Sequence, residues 1–213
     1  MYEIFAEHPE RGQQFARAMS HPDDAPHLLL DNYPWGEKKL VVDVGGSHGS
    51  IAINIAERFP SVKCVVQDLA ETVAEGKTKL PPWLHERVEF MEYDFFTTQP
   101  VVADVYYFRS IFHNWSDKYC VKILHSLIPA LKPGARIVIN ERILPDLSTM
   151  SATIAKRVLN LDIGMLQLLN AHQREEDEWP ALFARADSRF RYVGAYQPVG
   201  AVRWIIEVEW TGS

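Results

Sequence analysis

The stretch KLVVDVGGSHGS, residues 39–50, constrains the fold more than any other part of the chain. Its β-branched run reads as a strand buried on both faces. The glycines after it let the chain turn sharply into a helix, with backbone amides brought close to whatever sits there. From that point strand and helix periodicities alternate. A helix is expected over SIAINIAERF, a strand over KCVVQD, a helix over AETVAEGKTKL and strands over VEFMEYD and ADVYYFRS. A helix over DKYCVKILHSLIPAL and a strand over RIVINERIL follow, then a long helix over ATIAKRVLNLDIGMLQLL and a shorter one over EEDEWPALFARA. Such alternation implies an α/β domain with a mostly parallel sheet and right-handed crossovers. The end of the chain departs from it: FRYVGAYQPVG and AVRWIIEVEW read as two strands of a hairpin with no helix between them.

Upstream of the glycine loop, IFAEHPERGQQFARAM reads as a helix, and HPDDAPHLLLDNYPWGE as a loop with one apolar turn at Leu28 to Leu30. Residues 1–38 are thus expected to be a helical lead-in and 39–213 the main domain. An apolar fraction of 47% with 23% charged residues describes a globular chain able to bury a sizeable core. The net charge of −6 and the scattered basic residues argue against nucleic acid as a partner. Cys64 and Cys120 form neither a metal-ligand spacing nor a disulfide framework, so free buried thiols and no metal are expected. No stretch approaches the apolar length of a membrane span, and the acidic, polar N-terminus is unlike a signal peptide; a cytoplasmic protein is expected.

The glycine loop limits the ligand. A dinucleotide fingerprint starting at Gly45 needs glycines at 47 and 50, where this sequence has Ser47 and Ser50. What remains is Asp43, Gly45, Gly46 and Gly49, which together with the terminal hairpin resembles the acidic-x-Gly-x-Gly-x-Gly loop of class I S-adenosylmethionine-dependent methyltransferases, with Ser47 at the middle glycine. The fold so implied is Rossmann-like, a seven-stranded sheet with an antiparallel C-terminal strand. In it Asp43 is expected to take up the ammonium group of the cofactor. Asp68, about twenty residues on at the end of the second strand, suits bidentate acceptance from ribose hydroxyls, with Leu69 beside it. Asp94, at the end of the third strand, suits the adenine amino group, with Phe95 over the ring face.

The segment YYFRSIFHNWSDKYC carries the chemistry. It resembles the catalytic histidine segment of the caffeate and flavonoid O-methyltransferases, fungal members in particular; AEHPERGQQFARAM, LDNYPWG and LKPGARIVINERIL resemble other segments of that family. The resemblance implies Arg109 as a further cofactor ligand and His113 as the general base that takes a proton from a substrate hydroxyl. It implies Glu141 as a carboxylate fixing the imidazole tautomer. A second carboxylate is expected in a Lys-Glu-Arg-Thr-like segment, where AHQREEDEW puts Gln173 in the acid's place beside Arg174, with Glu175 and Glu176 as ordinary acids near a helix start. An amide cannot stabilise an imidazolium by charge.

The implied activity is O-methyl transfer to an aromatic, polyketide-like small molecule, with Trp115, Asp162, Met165 and Asn170 lining the acceptor pocket. Two alternatives stay open. One is a relative that keeps the cofactor as an electrostatic element without consuming it, with His113 and Arg174 as donors polarising a carbonyl. The other is an inactive, truncated homologue. The family's N-terminal helical domain, which swaps between subunits, precedes the matched region; the resemblance implies a homodimer where that domain is present, and an exposed apolar patch where it is not.

Overall fold

The computed structural model describes Glu10 and residues 25–212. The helix expected over residues 4–19 lies outside the described residues, except for Glu10, which is helical. A short helix α1 (Pro26–Leu30) leads to β1 (Leu40–Val44), α2 (Ser50–Arg58), β2 (Lys63–Asp68), α3 (Ala70–Lys79), β3 (Val88–Glu92) and β4 (Val105–Arg109). After these come α4 (Asp117–Leu127), β5 (Arg136–Glu141), α5 (Ala152–Leu169), α6 (Glu178–Ala186), β6 (Phe190–Tyr196) and β7 (Trp204–Trp210). The seven strands form one sheet in the order β3-β2-β1-β4-β5-β7-β6. The first five are parallel, while β7 runs antiparallel between β5 and β6, with Ile139 opposite Ile206.

Because successive side chains of a strand point to opposite faces, each strand feeds two cores. Val42 and Val44 of β1 join Tyr106, Phe108, Ile137 and Ile139 against α4 and α6, where Ile123, Leu124, Trp179, Leu182 and Phe183 are fully buried. On the other face Val41, Val66, Val105 and Tyr107 meet α1, α2 and α3 through Leu29, Ile55 and Val73. Burial of both faces explains why these strands read as continuous apolar runs and not as alternating ones.

The lead-in residues beyond Ala25 belong to that second core. Trp35 is wholly buried, with its ring edge-on to Tyr107 at 5.6 Å, and the Tyr33 hydroxyl donates to Glu207 of β7 at 3.1 Å. Several elements end earlier than their periodicity suggested, each for a local reason. Helix α4 stops at Leu127 and tightens into a 3-10 turn over Ile128–Ala130, where Pro129 offers no N–H to continue it. Strand β3 stops at Glu92, so Asp94 lies two residues beyond it and starts a turn, its carboxylate accepting the Phe96 N–H at 2.9 Å. Cys64 and Cys120 are free and buried. Among the described residues no helix is long and apolar enough to cross a membrane.

Candidate active site

The parallel strands bring Val44, Asp68, Glu92, Arg109 and Glu141 to one rim of the sheet, where ligands of open α/β folds sit. The glycine loop is tied to that rim from below. Gly45 and Gly46 N–H groups both donate to the Gln67 carbonyl, at 2.7 and 3.1 Å. Close packing demands glycine at two positions. A Cβ on Gly46 would lie 2.6 Å from Asp43 Cγ, and one on Gly45, whose φ is +70°, would lie 2.6 Å from Ile111 Cδ1. Ser47 adopts φ 52°, the left-handed region where a side chain costs about 1–2 kcal/mol. Its N–H donates to Asp68 Oδ2 at 2.8 Å, which offsets part of that cost.

Asp68 is partly exposed, and its other oxygen accepts the Leu69 N–H at 2.8 Å. Each oxygen has accepted one bond and keeps lone-pair capacity for a diol above it. Leu69, 60% exposed, presents an apolar side chain on the same rim. Asp94 is exposed as well, and Phe95 reaches the loop, 3.9 Å from where a Gly45 Cβ would stand. These residues fit a nucleoside with a ribose diol and an aromatic base.

Asp43 is almost wholly buried. It is 3% exposed and lies under the loop, bonded by the Ala52 backbone amide in the first turn of α2; burial pushes its carboxyl up to about 7, against the pull of Arg109. There it supports the glycine loop from beneath. Arg109 lies on the same sheet face as Asp43 and lines a small cavity with Leu29, Asn140 and Arg203.

After β4 the chain turns through Ser110, at φ 55°, into a 3-10 turn over Phe112–Asn114 that carries His113. A strained non-glycine residue next to a reactive side chain is a common signature of functional geometry, and spacing alone did not reveal it. Glu141 is a correction. Its oxygens accept the backbone N–H groups of Phe112 at 2.6 Å and His113 at 3.0 Å. It therefore fixes the turn and not the imidazole. Burial pushes its carboxyl up to about 7, while Arg174 and the backbone donors pull it down.

Gln173 meets the ring itself, its Nε2 standing 3.0 Å from His113 Nδ1 while its Oε1 is buried without a partner. The Gln173 backbone N–H donates to Asp162 at 2.7 Å, so Asp162 of α5 positions this segment. Burial first, then Arg203, Arg142 and Arg174, push the imidazole down to about 4, with a backbone bond at Ser110 acting the other way. The ring is neutral in the physiological range. Glu175 and Glu176 are exposed, and among the described residues no carboxylate bonds the ring.

Arg174 is the second correction. Its guanidinium is buried and committed to the Phe112 and Trp115 carbonyls, Asp117 and Cys120 Sγ, at 2.8–3.2 Å. It clamps the histidine turn to α4 and cannot polarise a substrate carbonyl. Trp115 stands edge-on to Phe95 at 6.0 Å and Phe96 at 4.8 Å, forming an aromatic wall with Tyr119. Met165 is half-buried on α5. Asn170 is exposed and ends α5 as its cap in the left-handed conformation, φ 52°. Arg203, which periodicity gave no reason to single out, enters the site from the segment before β7, its Nε donating to Ser110 Oγ at 3.1 Å, and Arg142 follows Glu141 at the end of β5.

A doubly wound sheet with this strand order, an inserted antiparallel strand and a glycine loop facing a carboxylate on the next strand defines a class I methyltransferase fold. The chain belongs to the O-methyltransferase domain family, whose pattern matches residues 1–189, and its cofactor is S-adenosylmethionine. It is 45% identical over 218 residues to the grayanic acid biosynthesis cluster O-methyltransferase of Cladonia grayi, covering 99% of this chain and 48% of that protein. It is 42% identical over 211 residues to O-methyltransferase AMT9 of Alternaria alternata, covering 99% of this chain and 49% of that protein. The chain thus spans about half the length of the curated relatives it matches. The solved mitomycin 7-O-methyltransferase superposes with a TM-score of 0.86 at 25% identity, over 99% of this chain and 60% of that one.

Proposed function

We propose that the chain transfers a methyl group to a hydroxyl of an aromatic, polyketide-like small molecule of fungal secondary metabolism, with His113 receiving the hydroxyl proton. The observation that carries this reading is the turn Phe112–Asn114, anchored by Glu141 and Arg174, which holds a neutral imidazole two residues from Ile111, the side chain packed on Gly45. The relatives named as O-methyltransferases support the reaction class.

When bound, S-adenosylmethionine supplies an electrophilic methyl group on sulfur. In this reading the residues of the chain do the rest. Asp68 accepts from the ribose hydroxyls, Leu69 and Phe95 flank the base, Asp94 accepts its amino group, and the glycine loop lets backbone approach the amino-acid part. Trp115 and Met165 bound the acceptor, and His113 takes the proton as the oxygen is aligned with the methyl group; most of the acceleration of such a transfer comes from alignment and proximity.

The test pairs two measurements. Calorimetry with S-adenosylhomocysteine should show binding that Asp68→Ala loses. His113→Ala should retain that binding while transfer of labelled methyl to a phenol panel falls by about 100-fold or more. Unchanged transfer in His113→Ala would remove the proposed base.

A further inference from the structure

Away from the histidine turn, two buried amides meet beneath the glycine loop. Gln67 of β2 is wholly buried, and Gln99, from the segment between β3 and β4, is 3% exposed. They bond reciprocally: Gln67 Nε2 donates to Gln99 Oε1 at 2.8 Å, and Gln99 Nε2 donates to Gln67 Oε1 at 2.9 Å. Such a pair stabilises little more than two apolar side chains of similar shape would, but it permits one relative placement of the segments it joins.

The segments joined are the two sides of the nucleoside site. On the Gln67 side, its backbone carbonyl accepts the Gly45 and Gly46 N–H groups, and the next residue, Asp68, accepts the Ser47 N–H. On the Gln99 side lies the turn that starts at Asp94, whose carbonyl accepts the Thr97 N–H at 2.8 Å. The beginning of that segment is tied down where the Tyr93 N–H donates to the Asp68 carbonyl at 2.9 Å and Ser126 Oγ donates to the Phe95 carbonyl at 2.7 Å. Gln99 ties down its far end. Besides the amide pair, its backbone N–H donates to the Ser126 carbonyl of α4 at 2.9 Å, and its Oε1 accepts the Val101 N–H at 3.1 Å.

We infer that Gln99, through its amide pair with Gln67, is a positioning residue that sets the separation of the Asp68 and Asp94 carboxylates and thereby the preference of the site for adenine over other bases. The inference rests on the cofactor placement proposed above, in which Asp68 accepts from the ribose hydroxyls and Asp94 from the amino group of the base. A nucleoside is stiff from ribose to base, so it satisfies both carboxylates at one separation only. A carboxylate accepts from the adenine amino group and repels the carbonyl oxygen that hypoxanthine carries in its place. With the Gln99 end of the segment released, Asp94 is no longer held at that separation, and discrimination between the two bases is lost.

The experiment compares, by calorimetry, S-adenosylhomocysteine with S-inosylhomocysteine, which carries a carbonyl where adenine has its amino group. The unaltered protein should prefer the adenine compound by at least about ten-fold, and Asp94→Ala should reduce that preference to within about three-fold. Gln99→Met and the double substitution Gln67→Leu, Gln99→Leu should reduce it to a similar level, and neither should reduce it further in the Asp94→Ala background. A role in stability alone would weaken both ligands alike and leave their ratio unchanged. A preference that persists in the Gln99 variants, or failure of both to fold, would overturn the inference. Equal binding of the two compounds by the unaltered protein would instead overturn the placement of Asp94 at the base, and no binding of either would overturn the nucleoside site itself.

Discussion

The two carboxyls buried most completely at the rim, Asp43 and Glu141, both bind backbone amides, and this explains what they tolerate. Glu141 accepts two backbone donors of the turn, the Phe112 and His113 N–H groups, while Arg174 holds its carbonyls. Glu141→Gln replaces one acceptor with an NH₂ group pointed at an N–H, leaving a buried donor unpaired. A loss of about 1–3 kcal/mol in urea unfolding is expected, and an unchanged midpoint would show that the turn holds without it. Sequence reasoning found Glu141 but not its partner. A carboxylate at a strand end near a histidine can bond the ring or the backbone that carries it, and only the path of the turn decides between them. Gln173 was found, and at the ring, because its neighbours Arg174 and Trp179 fix the alignment of the segment. The left-handed conformations of Ser47 and Ser110 were illegible, since serine has no glycine's freedom to advertise them.

Among the elements, the strands and most helices lie within a few residues of where periodicity put them, because burial on both faces leaves a continuous apolar signature. Helix α5 is the exception in kind. It reads as an amphipathic core helix, yet none of its described side chains is buried, and Ile154, Leu159, Ile163, Leu166 and Leu168 are 40–59% exposed. Of these, Leu159, Ile163 and Leu166 lie three and four residues apart and share one face. Periodicity reports that a helix has an apolar side but not whether anything covers it. The double substitution Ile163→Lys, Leu166→Glu should therefore change the unfolding free energy by no more than about 0.5 kcal/mol, whereas core positions such as Ile123 cost about 2–5 kcal/mol on truncation to Ala. Chemical denaturation of both variants tests the contrast. A large loss in the α5 variant would mean that the stripe is packed in solution.

For the whole molecule, the shifted groups set how stability varies with pH. In the folded state Asp43 and Glu141 hold protons up to about 7 that the unfolded chain loses near 3.8 and 4.5. Stability from these two falls as pH rises through that window. His113 acts in the opposite sense: neutral in the folded state down to about 4 and charged in the unfolded state below 6.5, it adds stability as pH rises between those values. Two groups outweigh one between about 4.5 and 6.5, and above 6.5 the acids act alone. Asp104, Asp117 and Asp187, held down by Lys132, Arg174 and Arg189, lose their contribution only on the acid side of 3.8. The thermal midpoint should thus be higher near pH 5 than at pH 7.5; a midpoint climbing steadily across that range would contradict the assigned burial.

Strand β7 follows the other six strands of the sheet in the chain, yet it is an interior strand with β5 on one side and β6 on the other. During synthesis on a ribosome, β5 and β6 emerge with no strand between them, and every residue through Trp210 must clear the exit tunnel before the sheet can close. Loss of Trp204–Trp210 would remove only 7 residues, yet it would leave two open sheet edges in the middle of the sheet, each able to capture another nascent chain.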